Sequence, residues 1–337
     1  MKILILRYSS IGDIVLTTPV VRCLRKKYPD AEIHYATKKA FQPIVKHNPY
    51  LTKIHLLEES FTAHVNELKE EKFDYVIDLH NNQRTLILKL LLGVKSYSFD
   101  KLNFEKWLMV NFKINRLPDK HIVDRYIETC KQLGVENDGE GLDYFIAKED
   151  EVDIETLPAG FHKGYVAWVI GAKQNTKKFP EDKIVSGISK AGYWPVLLLG
   201  GKEDAAAGEA ILRQVGGNSL VFNAAGKFSL NQSASLVKQA NMVITNDTGL
   251  MHIAAAYKRP VISIWGNTIP EFGMYPYLGK HPVPNVLYQV QGLPCRPCSK
   301  LGYDKCPQGH FKCMQLIPEN EFGAVIEKKI GLGPKAV

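Results

Sequence analysis

The sequence predicts an α/β protein made of two doubly wound domains. Short apolar runs that suit buried parallel strands alternate with amphipathic segments that suit helices, and this series occurs twice along the chain. A polar stretch over 136–160 separates the two series. A chain of 337 residues is also too long for one ordinary hydrophobic core. We assign 1–155 to a first domain, 156–318 to a second domain and 319–337 to a final helical segment.

The first domain opens with a strand, a polar turn and a helix. Because Gly12 is the only glycine in this turn, the turn is not the dinucleotide-binding fingerprint. Strands are predicted at 2–6, 32–36, 53–57, 75–79 and 96–99, and helices at 14–27, 40–46, 62–70, 85–92, 103–112 and 123–133. Repeated strand–helix units imply a parallel sheet with right-handed crossovers.

The second domain repeats this pattern. Strands are predicted at 165–170, 194–199, 220–223, 242–245 and 261–265, and helices at 181–191, 204–215, 230–240, 250–257 and 319–330. We expect a second parallel sheet, with ligands beyond the carboxyl ends of its strands.

The turn from Asn246 to Gly249 joins a buried strand to a helix of small and apolar residues. A helix start offers unpaired backbone N–H groups and the positive end of the helix dipole, and Gly249 permits close approach. Asp247 and Thr248 add polar side chains, so the turn suits a phosphate. A capped helix start without a ligand explains the same residues, and the turn alone leaves both interpretations open.

Asp13 stands in the strand-to-helix turn of the first domain. A carboxylate that faces a cleft from such a turn can take a proton from an attacking hydroxyl. An aspartate near a helix start also stabilises the helix by roughly 0.3–1 kcal/mol without any catalysis. The residue pattern alone supports both roles equally.

Three motifs resemble family-nine glycosyltransferases, the heptosyltransferases of lipopolysaccharide synthesis. The segment Asn246-Asp-Thr-Gly-Leu-Met-His252, followed by Gly266-Asn-Thr268, resembles their nucleotide-sugar signature. Gly12-Asp13 and Lys177-Lys-Phe-Pro180 resemble two further family motifs. Leu250 and Asn267 stand where the family usually has proline, and neither residue carries chemistry.

This resemblance implies the GT-B architecture, in which two Rossmann-like doubly wound domains face a central cleft. It implies an inverting, metal-independent transferase that moves a heptose from ADP-L-glycero-D-manno-heptose to a lipopolysaccharide inner-core acceptor. It also implies that 319–337 packs back toward the first domain. One alternative is the same fold with another nucleotide-sugar donor or surface-polysaccharide acceptor. Another is a non-catalytic nucleotide- or glycan-binding protein.

The resemblance also implies roles for individual residues. Asp13 would be the base, and Lys177 would neutralise the leaving diphosphate. Glu203 would hold the ribose. The residues expected to contact the donor are Ser10, Gly12, Lys178, Glu203, Asp247, Thr248, Gly249 and His252. Without the resemblance, exposed lysines, a first-turn glutamate and a packed histidine would explain the same pattern.

Positive charge is concentrated between Arg84 and Arg125, where nine Lys/Arg stand against four Asp/Glu, in a chain of net charge +8. Such a stretch predicts an anionic partner or, alternatively, a solvated positive face. We expect an anionic lipopolysaccharide-type acceptor to be held by residues among Arg84, Lys101, Lys106, Lys120, His121 and Arg125. The stretch matches no known nucleic-acid module, so no nucleic-acid partner is expected.

The metal chemistry of the chain is limited by its residue spacing. No two aspartates stand two apart, so the Asp-x-Asp pattern of many metal-dependent sugar transferases is absent and no cofactor is expected to be required. Cys295, Cys298, Cys306 and Cys313 lie close together in sequence, and they suit either a structural zinc ion or packing thiols, free or paired. A zinc-ribbon nucleic-acid protein is a third interpretation of these cysteines together with the positive charge.

Hydropathy bears on location. No apolar run approaches the roughly 18–20 residues needed to span a bilayer, and the short apolar start of the chain lacks a signal-peptide cleavage site. We expect a cytoplasmic protein that acts peripherally at the inner membrane.

Overall fold

The first domain contains a five-stranded parallel sheet with strand order β3-β2-β1-β4-β5. The computed structural model describes residues 1–190, 192 and 194–330 of the chain. The strands are β1 (Lys2–Leu6), β2 (Glu32–Lys38), β3 (Lys53–Leu57), β4 (Tyr75–Asp78) and β5 (Lys95–Ser98). The helices are α1 (Ile11–Val15), α2 (Thr18–Lys27), α3 (Gln42–Val45), α4 (Phe61–Glu70), α5 (Gln83–Leu92), α6 (Asn103–Phe112) and α7 (Ile122–Glu128). Four successive side chains of β1, from Ile3 to Leu6, are fully buried because helices cover both faces of the sheet.

The second domain contains a six-stranded parallel sheet with order β11-β10-β9-β6-β7-β8. The strands are β6 (Val166–Val169), β7 (Val196–Leu199), β8 (Val221–Asn223), β9 (Met242–Asn246), β10 (Val261–Trp265) and β11 (Asn285–Gln289). The helices are α8 (Glu181–Lys190), α9 (Ala205–Gln214), α10 (Leu230–Gln239), α11 (Gly249–Ala256), α12 (Lys312–Gln315) and α13 (Phe322–Ile330). The predicted fold class, two Rossmann-like domains, is confirmed.

Both sheets reverse their strand order at a central pair of strands. In the first domain these strands are β1 and β4, and in the second domain they are β6 and β9. A doubly wound sheet binds ligands in the crevice that forms at this point, beyond the carboxyl ends of the strands. The reversal therefore places the loops after β1, β4, β6 and β9 at two crevices. One hydrophobic cluster includes Ile14 of the first domain and Met251 and Ile253 of the second, so the two domains are packed together.

Local chemistry explains where the observed elements differ from the predicted ones. The helix predicted over 14–27 is two helices. Thr17 is the N-cap of α2, and Pro19 in the first turn of α2 has no N–H group to continue the hydrogen bonding of α1. The edge strand β11 was not predicted, since its residues are only partly buried and lack a continuous apolar run. The helix predicted over 123–133 ends at Glu128. The end of the helix predicted over 181–191 lies outside the described residues.

The polar stretch between the two series of strands contains only short 3-10 turns, at Lys148–Asp150, Ile154–Thr156 and Ala159–Phe161. Its start is fixed to α2 by Arg22, which pairs with Asp138 at 2.9 Å and also with Asp143.

The described part of the final segment, residues 319–330, packs on the second domain, which corrects the expectation that the segment packs toward the first. The ring of Phe322 is fully buried and lies 5.8 Å from Trp168, 6.1 Å from Phe179 and 5.0 Å from Tyr288, measured between ring centroids. Ser186 of α8 also donates to Glu319 at 2.9 Å. The apolar face of α13 therefore completes the core beneath β6, and residues 331–337 lie outside the described part of the chain. None of the described helices is both long and apolar enough to span a bilayer.

We expect Phe322→Ala to lower the free energy of unfolding by about 3–5 kcal/mol, because it leaves a cavity among three aromatic rings. Urea unfolding monitored by circular dichroism measures this change. The control is Leu316→Ala, since the Leu316 side chain lies just before this segment and is 58% exposed. Equal effects of the two substitutions would contradict the packing of α13 on the second domain.

Candidate active site

Asp13 is bound through both carboxylate oxygens. Arg7 Nη2 lies 2.6 Å from Oδ1, and Ser10 donates its hydroxyl at 2.6 Å and its backbone N–H at 3.2 Å to Oδ2. Burial by itself would raise the pKa of Asp13, but the Arg7 charge and the Ser10 hydrogen bonds outweigh it, so the pKa is lowered. The side chain is 22% exposed and ionised at neutral pH. A carboxylate offers about four lone-pair sites, so Asp13 can still accept another hydroxyl proton.

Arg7 is anchored on both sides of the first crevice. It donates to Ser9 O at 2.7 Å, to Leu79 O at 2.5 Å and to the Tyr126 hydroxyl at 3.0 Å. Because Leu79 follows β4, these bonds tie the ends of β1 and β4 to one guanidinium. These hydrogen bonds therefore hold the Arg7 guanidinium in position beside the Asp13 carboxylate.

The starts of α1 and α11 touch across the cleft at two glycines. A Cβ atom added to Gly12 would lie 2.6 Å from His252 Cδ2, and one added to Gly249 would lie 2.5 Å from Ile11 Cγ2. Real Cβ atoms essentially never approach so closely. The two glycines therefore allow the turn that carries Asp13 to lie directly against the turn after β9.

His252 is buried at this contact and neutral. Its side chain is 1% exposed, and burial lowers its pKa to about 4, although Asp247 and Asp13 act to raise it. Within the described residues, its Nδ1 has no hydrogen-bond partner. The neutral imidazole can therefore form a hydrogen bond with a ligand through Nδ1 without adding a charge to the site.

Lys177 and Asp247 join the loops after β6 and β9. Lys177 Nζ lies 2.5 Å from Asp247 Oδ2, and the Thr268 hydroxyl donates to the same oxygen at 2.9 Å. Arg296 supports the Thr268 loop by donating to Gly266 O at 2.6 Å and Thr268 O at 2.8 Å. The ammonium is thus held beside the start of α11, where Thr248 precedes the first helical residue, Gly249. The four expected donor residues Asp247, Thr248, Gly249 and His252 lie together with Lys177.

Two other expected donor residues lie elsewhere in the same domain. Lys178 pairs with the buried Asp204 at 2.7 Å. Asp204 also accepts from Gly201 N at 3.0 Å, so this pair shapes the loop after β7. Glu203 in that loop is exposed. Glu203 thus lies on the surface of the loop after β7, and its role in donor binding stays a prediction.

Part of the basic stretch surrounds Asp13. Burial, together with the nearby charges of Arg125 and Lys300, lowers the pKa of Lys106 to about 8. Burial also lowers the pKa of Lys101. The charge of Arg7 lowers this pKa as well, whereas the charge of Asp13 raises it. Arg125 is 6% exposed, and among the described residues its Nε and Nη1 have no hydrogen-bond partner. The charges of Lys300 and Asp13 act on both Lys101 and Lys106, and that of Arg125 acts on Lys106, so these four cations form a positive group near the Asp13 carboxylate, which we call the positive pocket.

The other expected acceptor residues are not brought into this pocket. Lys120 pairs with Glu128 on the surface at 2.5 Å. Arg84 is exposed and lines a separate hollow with Lys38 and Glu58. His121 is 2% exposed and bonds to Tyr275 O at 2.8 Å, so it is a packing residue.

The cysteine tract gives no direct support to a metal centre. All four thiols are free, Cys298 donates to Cys295 O at 3.0 Å, and Cys295 Sγ lies 3.8 Å from His310 Nε2. Burial raises the pKa of Cys298 to about 11 and that of Cys313 to about 12. The structural zinc ion stays a hypothesis.

One group of potential metal ligands was found among the described residues, His34, His55 and Glu71 of the first domain. His34 Nδ1 and His55 Nε2 are hydrogen-bonded to each other at 2.9 Å. The Glu71 carboxylate already pairs with Lys2 at 2.9 Å and Lys53 at 2.5 Å. The two histidines are thus bonded to each other, and the Glu71 carboxylate is bonded to two lysines.

The fold and this site together define a class of protein. Two Rossmann-like domains enclose a crevice, with a carboxylate on one side and a lysine and a helix start on the other. This arrangement is that of GT-B glycosyltransferases, and the chain is an enzyme of that class.

Comparison with known proteins then gives the family. The family model described as glycosyltransferase family 9 (heptosyltransferase) matches residues 61–300, so the chain belongs to this family. Lipopolysaccharide heptosyltransferase 1 of Campylobacter coli is 26% identical over 80% of this chain and 84% of its own. A Veillonella parvula family 9 glycosyltransferase superposes with a TM-score of 0.69 at 24% identity over 85% of each chain. An Escherichia coli heptosyltransferase solved with ADP superposes with a TM-score of 0.67 at 22% identity over 98% of this chain and 100% of that one.

Sequence reasoning missed three residues of the site, Arg7, Thr268 and Lys300. Arg7 lies in the same turn as Asp13, and a cation six residues before a proposed base is a signal that could have identified it. Thr268 lies in a motif that was recognised but given no role. No local signal marks Lys300, because it reaches the pocket of Asp13 from the other domain.

We expect Gly12→Ala to lower kcat for sugar transfer roughly 100-fold, because the added methyl group displaces His252 or separates the domains by about 1 Å. When the ring is removed by His252→Ala, adding Gly12→Ala should lower the rate less than it does in the wild-type protein. Steady-state kinetics on the four proteins measures this coupling.

The control for this cycle is Gly160→Ala, whose added Cβ would meet Leu220 Cδ2 at an ordinary 3.5 Å. Wild-type kcat in Gly12→Ala would contradict the contact between Gly12 and His252.

Proposed function

We propose that the chain transfers a heptose from ADP-L-glycero-D-manno-heptose to a lipopolysaccharide inner-core acceptor, with inversion and without a required metal ion. One observation carries this proposal. The close contact of Gly12 with His252 brings the turn that holds Asp13 against the start of α11, which follows the loop of the Lys177–Asp247 pair. Membership of the heptosyltransferase family supports the sugar. The relatives named for lipopolysaccharide and the solved complex with ADP support the acceptor and the nucleotide.

The donor diphosphate is proposed to bind at the start of α11. Backbone N–H groups at a helix start and the helix dipole favour an anion there, and Gly249 leaves room for it. Lys177 supplies a cation at the same place, held 2.5 Å from Asp247. The unpartnered Nδ1 of His252 offers one more hydrogen bond, and Glu203 would accept from the ribose hydroxyls.

The reaction then follows from the placement of base and cation in different domains. The acceptor hydroxyl oxygen attacks the anomeric carbon from the side of the first domain and gives its proton to Asp13. The bond from the anomeric carbon to the diphosphate breaks on the side of the second domain, and ADP carries the bonding electrons away. Attack and departure on opposite sides invert the anomeric centre.

The low pKa of Asp13 is compatible with the role of a base. As the new bond forms, the acceptor oxygen becomes positively charged and far more acidic, so even a weak base can take its proton. The Arg7 pair keeps Asp13 ionised at neutral pH, which is the form that the reaction needs. On the other side, Lys177 neutralises the charge that grows on the diphosphate, without metal assistance.

The acceptor is proposed to bind in the positive pocket formed by Lys101, Lys106, Arg125 and Lys300. A buried arginine with two unpartnered nitrogens lacks favourable hydrogen bonds, and a carboxylate or phosphate would supply them. We therefore assign the anionic groups of an inner-core acceptor to this pocket. Lys120 is left out of it because it pairs with Glu128, and Arg84 because it lines a separate hollow. The enzyme would act in the cytoplasm, peripherally at the inner membrane, where such an acceptor is accessible.

We expect Asp13→Asn to lower kcat by about 10²–10⁴-fold while ADP still binds, because only proton transfer is lost. Lys177→Ala should lower kcat and weaken ADP binding together. Transfer kinetics and titration calorimetry with ADP measure the two effects. The control is Lys173→Ala, an exposed lysine of the same loop, which should change neither quantity. Full activity of Asp13→Asn would refute the assignment of the base.

We expect ADP at about 100 times its Kd to stabilise the folded protein by about 2.7 kcal/mol, while UDP and GDP at the same concentration stabilise it far less. Thermal unfolding with each nucleotide tests the donor class. The same shift and the same transfer rate are expected in excess EDTA, because Lys177 supplies the charge. Loss of activity in EDTA that added Mg²⁺ restores would contradict the metal-independent mechanism.

A further inference from the structure

Large exposed hydrophobic side chains are concentrated in one part of the chain. Twelve such residues were found among the described residues, and eight of them lie between 86 and 114. On α5 they are Leu86, Ile87, Leu90 and Leu91, and on or just after α6 they are Phe104, Trp107, Phe112 and Ile114. Single exposed apolar residues are ordinary, but such a concentration marks an interaction site.

The aromatic residues of α6 form one exposed cluster. The ring centroids of Phe104 and Trp107 lie 6.1 Å apart, and those of Trp107 and Phe112 lie 5.1 Å apart. Their side chains are 60%, 50% and 58% exposed, in that order. Tryptophan and phenylalanine with this exposure suit the interface between lipid headgroups and acyl chains.

Basic residues accompany the exposed apolar side chains. Between residues 84 and 116 the sequence has seven Lys/Arg and two Asp/Glu. Arg84, Lys95 and Arg116 are exposed. Each basic residue near an anionic lipid surface adds about 1 kcal/mol, which is about fivefold in binding. The charge of this region thus complements an anionic bilayer, whereas it opposes the approach of a second copy of the same region.

The opposite face of α6 is turned toward the active site. Lys106, Met109 and Lys113 recur at helical spacing on a face roughly opposite to Phe104 and Trp107. Lys113 Nζ donates to Pro297 O of the second domain at 2.8 Å, and Met109 lines a hollow with residues of that domain. Lys106 lies near enough to Arg125 and Asp13 for their charges to shift its pKa.

We propose that the exposed apolar faces of α5 and α6 insert into an anionic phospholipid surface and hold the mouth of the active-site cleft at the membrane. This inference deepens the proposed function, since a lipid-anchored acceptor would then meet Lys106 directly from the bilayer. It is tested without donor or acceptor, so a failure of vesicle binding can be told apart from a failure of sugar transfer.

Tryptophan emission provides a local probe of this surface. The chain has four tryptophans, and Trp168, Trp194 and Trp265 are at most 6% exposed, whereas Trp107 is 50% exposed. Adding vesicles of phosphatidylcholine with phosphatidylglycerol to the full chain should shift the emission to shorter wavelength and protect it from acrylamide. Trp107→Phe should retain vesicle binding in a flotation assay and lose the emission shift.

Flotation with further variants separates the contribution of the apolar side chains to vesicle binding from that of the basic residues. Trp107→Gln with Phe112→Gln should reduce binding by about tenfold or more, since two apolar contacts are lost, and Arg116→Glu should reduce it several-fold. Leu316→Gln, which alters a 58% exposed side chain on the second domain, should bind as wild type does. Equal binding to vesicles of phosphatidylcholine alone, an unchanged Trp107/Phe112 variant, or a dimer in sedimentation velocity that this variant dissociates would each overturn the proposal.

Discussion

The site depends on the close contact between the starts of α1 and α11. Two glycines, Gly12 and Gly249, face each other there, and neither position has room for a side chain. This contact places a carboxylate of one domain beside the turn of the other domain at which we propose that the diphosphate binds. A hinge opening of a few ångströms would separate the two, so the same contact also makes the site sensitive to domain closure.

Charge is distributed unequally across this contact. In the first domain, Asp13 is an anion surrounded by Arg7, Lys101, Lys106 and Arg125, and in the second, Lys177 is paired with Asp247. An excess of buried cations is unfavourable unless anions neutralise it. An anionic acceptor bound beside Asp13 would do so in the first domain, which would tie acceptor binding to the stability of the closed form.

Much of this arrangement could be predicted from the sequence, because it depends on local patterns. Asp13, Lys177 and the 246–252 turn stand in segments that follow apolar runs, and the topology of a doubly wound sheet brings strand ends together. What could not be predicted depends on contacts distant in sequence. Lys120 and Lys300 are both exposed basic residues, yet only Lys300 approaches the pocket, because the fold of the cysteine tract carries it there. The final helix was assigned to the wrong domain because amphipathicity reveals an apolar face and not the surface that the face covers.

The helix α6 lies between the positive pocket near Asp13 and the exposed aromatic cluster. A helix has independent faces, so one segment can present Lys106 to a buried pocket and Trp107 to solvent although they are adjacent in sequence. A soluble acceptor would need only the first face. Exposure of Phe104, Trp107 and Phe112 to water is unfavourable, and a surface that covers these three side chains would remove this cost. The basic residues around them favour an anionic surface. The same stretch of chain would therefore hold the enzyme at the membrane and select an anionic acceptor.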